Sequence, residues 1–413
     1  MESTTGQTYD DLAGSITARG VNLEDVEERL RAQRVETPSW GYGDTGTRFA
    51  VFPQAGAPRD PFEKIADAAE THKHTGICPS VAVHIPWDKV DDYAELKGHA
   101  ESLGMRIGAV NPNLFQDEEY KLGSVCHPDE GVRRKATDHI LECIDVAREV
   151  DSDVLSLWFA DGTNYPGQDS FIERRRRMLE CLSEVYAAMP EGMRMLLEYK
   201  PYEPAFYHTD LADWGASLTA CQKLGERAQV LVDLGHHAKE ANIEYIVALL
   251  LDEGRLGGFH FNNRKYGDDD LIVGSINPFE LFLIYVELVA AEESAPGGRI
   301  DYMIDQTHNI EPKIEGMILS LVNLQEAYAK ALLVDREKLQ EARRSGDVLG
   351  AHRALLEAYK TDVRPLCAKV REDLGASPDP IAAFQHSARC IDQCIHNFCF
   401  HWAGTWASVG VPS

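Results

Sequence analysis

Positive charge is scarce in this chain. Its 413 residues carry 41 lysines and arginines against 67 aspartates and glutamates, a net charge of −26 with histidine neutral. Such a field repels nucleic acid and anionic membranes and gathers cations, and a nucleic-acid function would need a clustered basic stripe. The densest arginine run, Arg174 to Arg177, reads as the outer face of a helix. No stretch reaches the ~18 uninterrupted apolar residues of a membrane span. Met1 to Gln7 have neither the basic nor the apolar region of a signal peptide, so a cytoplasmic protein is expected. No G-x-G-x-x-G follows a strand, and GDTGTR (43–48) lacks the Lys-Ser/Thr pair of a P-loop, so no organic cofactor is expected. The nine cysteines are odd in number and scattered; Cys390, Cys394 and Cys399 have helical spacing, which favours buried thiols over a zinc knuckle.

What the chain does have is alternation. Residues 20–35 read as a short amphipathic helix. After it come eight apolar, β-branched runs: Arg48–Pro53, Ser80–Pro86, Arg106–Pro112, Asp153–Ala160, Met193–Lys200, Gln229–Gly235, Leu256–Asn262 and Asp301–Gln306. The segments between them repeat every 3.6 residues. Parallel neighbours require crossover connections, so strand–helix alternation means a parallel sheet. Eight repeats fit a (β/α)8 barrel, with a doubly wound open sheet as the competing pattern. Polar residues at the carboxyl ends of the runs favour the barrel, whose active sites are built on that rim. The expected division is an N-terminal helical arm (1–38), a catalytic barrel (39–317) and a C-terminal α-helical extension (318–413). The extension is expected to pack on the barrel or on a second subunit.

Four consecutive strand ends hold Glu198, Asp233 with His236, His260 and Asp305, and a loop adds Asp268, Asp269 and Asp270. Each alone has an ordinary reading as a helix cap, a core histidine or a solvated loop. Together they converge on one mouth, where like charges at ~4 Å repel by several kcal/mol at low effective dielectric. A divalent metal supplies the compensation, and oxygen and imidazole donors without thiolate favour Mn2+, Mg2+ or Co2+ over zinc. Seven ligands exceed one ion's needs. The expected division gives Glu198, Asp233, His260 and Asp305 to a first ion. A second takes His236, Asp268 and Asp270, with Asp233 as a bridge and Asp269 turned away.

From Ser39 to Met317 the chain resembles the L-rhamnose isomerases of the broad-specificity bacterial type, within the wider xylose-isomerase-like barrels. The matching segments are SWGYGDTGTRF, HIPWD, LWFADGTNYPGQ, LEYKP, VDLGHH, FHFNNRKYGDDDL and MIDQTHN. The resemblance implies that Trp40, Phe49, His84, Trp158 and Lys200 contact the sugar. It also implies a metal-assisted hydride shift from C2 to C1 of an aldose, with Lys200 stabilising charge on O1. His84 would then assist ring opening, oriented by Asp44 or Asp60, and Asp305 would serve beside the reacting atoms. The implied substrate is L-rhamnose or D-allose, the metal two Mn2+ per subunit, and the assembly a homotetramer. A one-metal ketose 3-epimerase, a barrel metallonuclease and a catalytically inactive sugar-binding barrel are the rival readings.

Overall fold

The computed structural model describes residues 8–44, 52–54, 56–203, 207–294, 299–306 and 310–390. Eight parallel strands close into a barrel: β1 (Glu36–Pro38), β2 (Ser80–Ile85), β3 (Arg106–Pro112), β4 (Val154–Trp158), β5 (Arg194–Glu198), β6 (Ala228–Asp233), β7 (Leu256–Phe261) and β8 (Asp301–Ile304). Each strand pairs with the next, and β8 returns to β1 through Glu36 and Met303. Trp40, Ala82, Ala109, Val154, Leu196, Leu231 and Met303 pack together as a small buried cluster, separate from the larger one.

The runs from Ser80 onward become strands as expected. The barrel's first strand is a correction: it is Glu36–Pro38, not Arg48–Pro53. Phe52 and Pro53 lie outside any strand, and residues 48–51 fall outside the described residues. The reason is chemical. Glu-Thr-Pro has no apolar alternation, yet Glu36 is buried and accepts a hydrogen bond from the Ala109 amide at 2.9 Å. That carboxylate takes the place of the apolar side chain that pattern reading looks for, and the strand lies within the segment assigned to the N-terminal arm.

Helices α1 (Tyr9–Ala18) and α2 (Leu23–Ala32) precede the barrel. The first is set by a capping box, in which Thr8 and Asp11 satisfy each other's amides. The ring helices are α3 (Pro61–Thr75), α4 (Tyr93–Ser102), α5 (Glu130–Glu149), α6 (Phe171–Ala188), α7 (Trp214–Leu224), α8 (Ile243–Asp252), α9 (Pro278–Ser294) and α10 (Lys313–Leu332). Helix α3 shows the local logic: Asp60 caps it, Pro61 opens it, and Gly76 ends it in the left-handed conformation at φ 75°. Helix α10 packs on α9 and α3, so it is the eighth helix of the ring, and the expected boundary at residue 318 falls inside it. Beyond it, α11 (Arg336–Ser345), α12 (Val348–Tyr359), α13 (Arg364–Asp373) and α14 (Pro380–Gln385) complete the described chain. Helix α13 packs on α1 and α2, while α14 packs on α3 and α10. Cys394 and Cys399 lie outside the described residues. Among the described residues, no single helix is long and apolar enough to cross a membrane.

Candidate metal centre

Glu198 is the last residue of β5, Asp233 the last of β6, and His260 the penultimate residue of β7; Asp305 follows β8 directly. Parallel register brings them level, with His260 opposite both Asp233 and Met303. His260 Nδ1 lies 3.2 Å from Glu198 Oε2, 3.6 Å from Asp305 Oδ2 and 4.0 Å from Asp233 Oδ2. One donor atom from each of the four lies within 4.8 Å of the others.

A second group shares Asp233 with this first one and adds His236 and Asp268, its donor atoms again within 4.8 Å. His236 Nε2 is 3.2 Å from Asp268 Oδ1 and 3.9 Å from Asp233 Oδ1. On its other side, His236 Nδ1 lies 3.0 Å from the Tyr199 carbonyl and 3.2 Å from Glu198 Oε1. Asp270 is not in this group. Its backbone is left-handed, with φ 46°, so the loop is not the extended segment that would send Asp268 and Asp270 to one side. Its half-buried carboxyl loses solvation and feels Asp268, Asp305 and Asp233, which together push its pKa well up. Asp269 turns away as expected and accepts the amides of Lys265, Tyr266 and Gly267.

Crowding pulls the titrating groups of this centre in opposite directions. Burial, reinforced by Glu198, Asp268 and Asp305, drives the Asp233 carboxyl up to about 7 although His236 pulls the other way. Burial also opposes Glu198, but His260 and His236 bring it down to about 2. His260 rises to about 9 because Glu198 outweighs the cost of burying its charge. His260 Nδ1 is buried among three carboxylates without an aligned hydrogen-bond partner among the described residues. Clustered carboxylate oxygens, imidazole nitrogens and no thiolate are the donor set of a hard or borderline divalent cation. The residues present fit such an ion.

Beside the carboxylates stands an arc of aromatic rings. Trp40, in the turn after β1, donates Nε1 to Asp305 Oδ1 at 2.7 Å and meets His84 edge-on with centroids 5.6 Å apart. His84 stacks on Trp87 at 4.0 Å; Phe115 touches His84, Trp87 and, at 4.8 Å, Trp158. Lys200 Nζ then lies 4.8 Å above the Trp158 ring, 2.7 Å from Asp268 Oδ2 and 3.3 Å from Glu203 Oε2. Burial disfavours its charge, but Asp268 and Glu203 hold the ammonium well above its ordinary range.

The structure thus gathers Trp40, His84, Trp158, Lys200 and all the expected ligands at one mouth, with Asp270 beside the second group and not in it. Phe49 lies outside the described residues. Neither Asp44 nor Asp60 orients His84: Asp44 accepts the Gln54 amide and pairs with Lys313, and Asp60 caps α3. Burial, with Lys64 and His139, lowers His84 to about 3, and its Nδ1 has no partner among the described residues. Sequence reading missed Trp87, Phe115, Glu203 and Asn262. The first of these sits in HIPWD and Asn262 in FHFNNR, so both motifs held a signal that was not taken up.

Comparison with known proteins agrees with the barrel. The family model described as "Xylose isomerase-like TIM barrel" matches residues 63–282. A probable sugar isomerase from Mesorhizobium japonicum is 45% identical over 383 residues, covering 91% of this chain and 89% of that one. The xylose isomerase of Thermus thermophilus is 26% identical over 208 residues, 46% of this chain and 52% of that one. Among solved structures, an L-ribulose 3-epimerase superposes with a TM-score of 0.52 at 14% identity, covering 77% of this chain and 98% of that one, a likeness of fold.

Proposed function

Because this chain belongs to the xylose isomerase-like TIM barrel family of sugar isomerases and epimerases, we propose that it is an aldose–ketose isomerase, with L-rhamnose as its first substrate and D-allose as a second. The observation that carries the proposal is the pair of donor groups sharing Asp233. A one-metal epimerase has no use for the His236–Asp268 half, whereas a hydride shift needs both O1 and O2 of the open-chain sugar polarised.

In this reading Glu198, Asp233, His260 and Asp305 would hold one divalent ion. His236, Asp268 and Asp233 would hold the other, with Asp270 as a neighbouring oxygen donor and Mn2+ preferred to Co2+ or Mg2+. Bound there, the ions would polarise O1 and O2 and ease transfer of the O2 proton to a water molecule, from which O1 would regain a proton once the hydride has moved. The chain's own groups do the rest. Lys200, kept charged by Asp268 and Glu203, donates to O1 as negative charge grows and hydride moves from C2 to C1. His84, held neutral by burial, offers Nδ1 to a sugar hydroxyl during ring opening, and Trp158 Nε1, likewise buried without a partner among the described residues, offers a donor. Trp40, Trp87, Phe115 and Trp158 face the weakly polar C–H surface of the sugar and exclude water. That wall suits a sugar ending in a methyl group, and a methyl contact is worth about 1–3 kcal/mol of discrimination. The homotetramer belongs to the same proposal, with light scattering as its check.

The test is conversion of L-rhamnose, D-allose and D-xylose by protein stripped with EDTA and then reloaded with Mn2+. Metal-restored conversion of L-rhamnose to its ketose, lost in Asp268→Ala, is the expected result. Interconversion of ketoses alone would make the protein an epimerase instead. Sugar binding without turnover would leave an inactive binding barrel.

A further inference from the structure

We propose that Asp88, neutralised by Lys64, is the positioning residue for the sugar-facing wall, fixing Trp40 and His84 from behind and thereby setting affinity for the sugar. The isomerase reading enters this inference through the identity of the ligand.

The Asp88 carboxylate has no exposure to solvent, and its neighbour Lys64 is almost as deeply buried. Lys64 Nζ lies 2.6 Å from Asp88 Oδ1 and 3.5 Å from the carbonyl oxygen of Trp87. Asp88 Oδ2 accepts the Ser39 hydroxyl at 2.5 Å and the His84 amide at 2.8 Å. The Asp88 amide in turn donates to the His84 carbonyl at 2.8 Å, so His84 is held at both of its backbone groups. Ser39 opens the short turn Ser39–Gly41 that presents Trp40 to Asp305. One carboxylate therefore ties helix α3, the turn after β1 and the end of β2 into a single unit.

A buried ion pair is a weak source of net stability, since well-packed apolar residues often do as well. What apolar residues cannot supply is direction. Three donors from three segments of chain meet at two carboxylate oxygens, and each bond fixes an angle as well as a distance. Asp88, Lys64 and Ser39 bond to none of the metal-group side chains, so the unit acts first on the aromatic half of the mouth and meets the carboxylate half through the single Trp40–Asp305 hydrogen bond.

The experiment uses the Mn2+-loaded full chain and reads three quantities. These are steady-state kcat and KM, ketose affinity from tryptophan emission, and Mn2+ affinity from calorimetry. In Asp88→Asn the amide NH2 faces donors, and KM and ketose Kd are expected to rise at least tenfold while kcat and Mn2+ affinity change less than threefold. Ser39→Ala removes one hydroxyl and is the milder variant; it should move KM and Kd in the same direction by a few-fold even if Asp88→Asn does not fold. A lower melting temperature with KM and Kd within twofold of wild type in the folded variants would show a merely structural role and overturn the inference. A fall in kcat with KM unchanged would overturn it as well. Wild-type protein that binds no sugar overturns the isomerase reading and this inference with it. Sugar binding by wild type with unchanged affinity in the variants overturns this inference alone.

Discussion

Asn262 donates its side-chain amide to both carboxylate oxygens of Asp233, at 2.9 and 3.0 Å. Asp233 is the residue common to the two donor groups, and Gly235 N adds a third bond at 2.7 Å. Groups behind a ligand commonly govern metal affinity by about 10–100-fold. Asn262→Leu should weaken Mn2+ binding within that range in calorimetric titration, and an unchanged affinity would remove Asn262 from the centre.

Two donor groups make a stoichiometric forecast. Wild-type protein should take up two Mn2+ per chain, and His236→Ala with Asp268→Ala should take up one. Ligands that bind only the folded state stabilise it by about 2.7 kcal/mol at a hundred times Kd. Mn2+ should therefore raise the melting temperature of both proteins, and more for wild type.

His84 makes a forecast in pH. Burial, Lys64 and His139 lower its folded value to about 3, against about 6.5 in an unfolded chain. Between those values the unfolded state binds the proton and the folded state does not, so stability falls as pH falls. Full stability is present above 6.5 and is lost down to about 3, at up to about 1.4 kcal/mol per unit. Urea unfolding from pH 7 to pH 4 should show a shallower decline in His84→Gln. The imidazole stays neutral above pH 5, so the same variant should leave the shape of the kcat profile between pH 6 and 8 unchanged.

Glu36 and Gly108 depend on each other. A side chain at position 108 would overlap the Glu36 carboxylate, which is held by the Ala109 amide. Gly108→Ala should cost about 1–3 kcal/mol through overpacking, read as a lower denaturation midpoint. Burial raises the Glu36 carboxyl above its ordinary value. Its contribution is present below the unfolded value and is lost as pH rises through the folded one. Glu36→Gln should accordingly gain on wild type as pH increases.

Seven strands were legible because β-branched runs buried on both faces leave a continuous apolar mark. Strand β1 was not, since three residues with a glutamate and a proline leave none. The two donor groups were legible by type and place together: Glu198 and Asp233 end strands, His260 stands one residue before a strand's end, and His236 and Asp268 follow in motifs. The left-handed backbone of Asp270 was not legible, because such a φ at a non-glycine residue is a property of the folded loop. Trp87 and Phe115 look like core aromatics in any sequence, and Lys64 and Asp88 are 24 positions apart, so nothing local announces their pairing.

Trp40, His84, Trp87, Phe115 and Trp158 lie at or just beyond the carboxyl ends of β1 to β4, whereas Glu198, Asp233, His236, His260, Asp268 and Asp305 lie at or beyond those of β5 to β8. The aromatic wall and the acidic cluster are therefore encoded in successive halves of the gene. Substitutions accumulating in the first half can reshape the wall while the donor groups in the second half pass on intact.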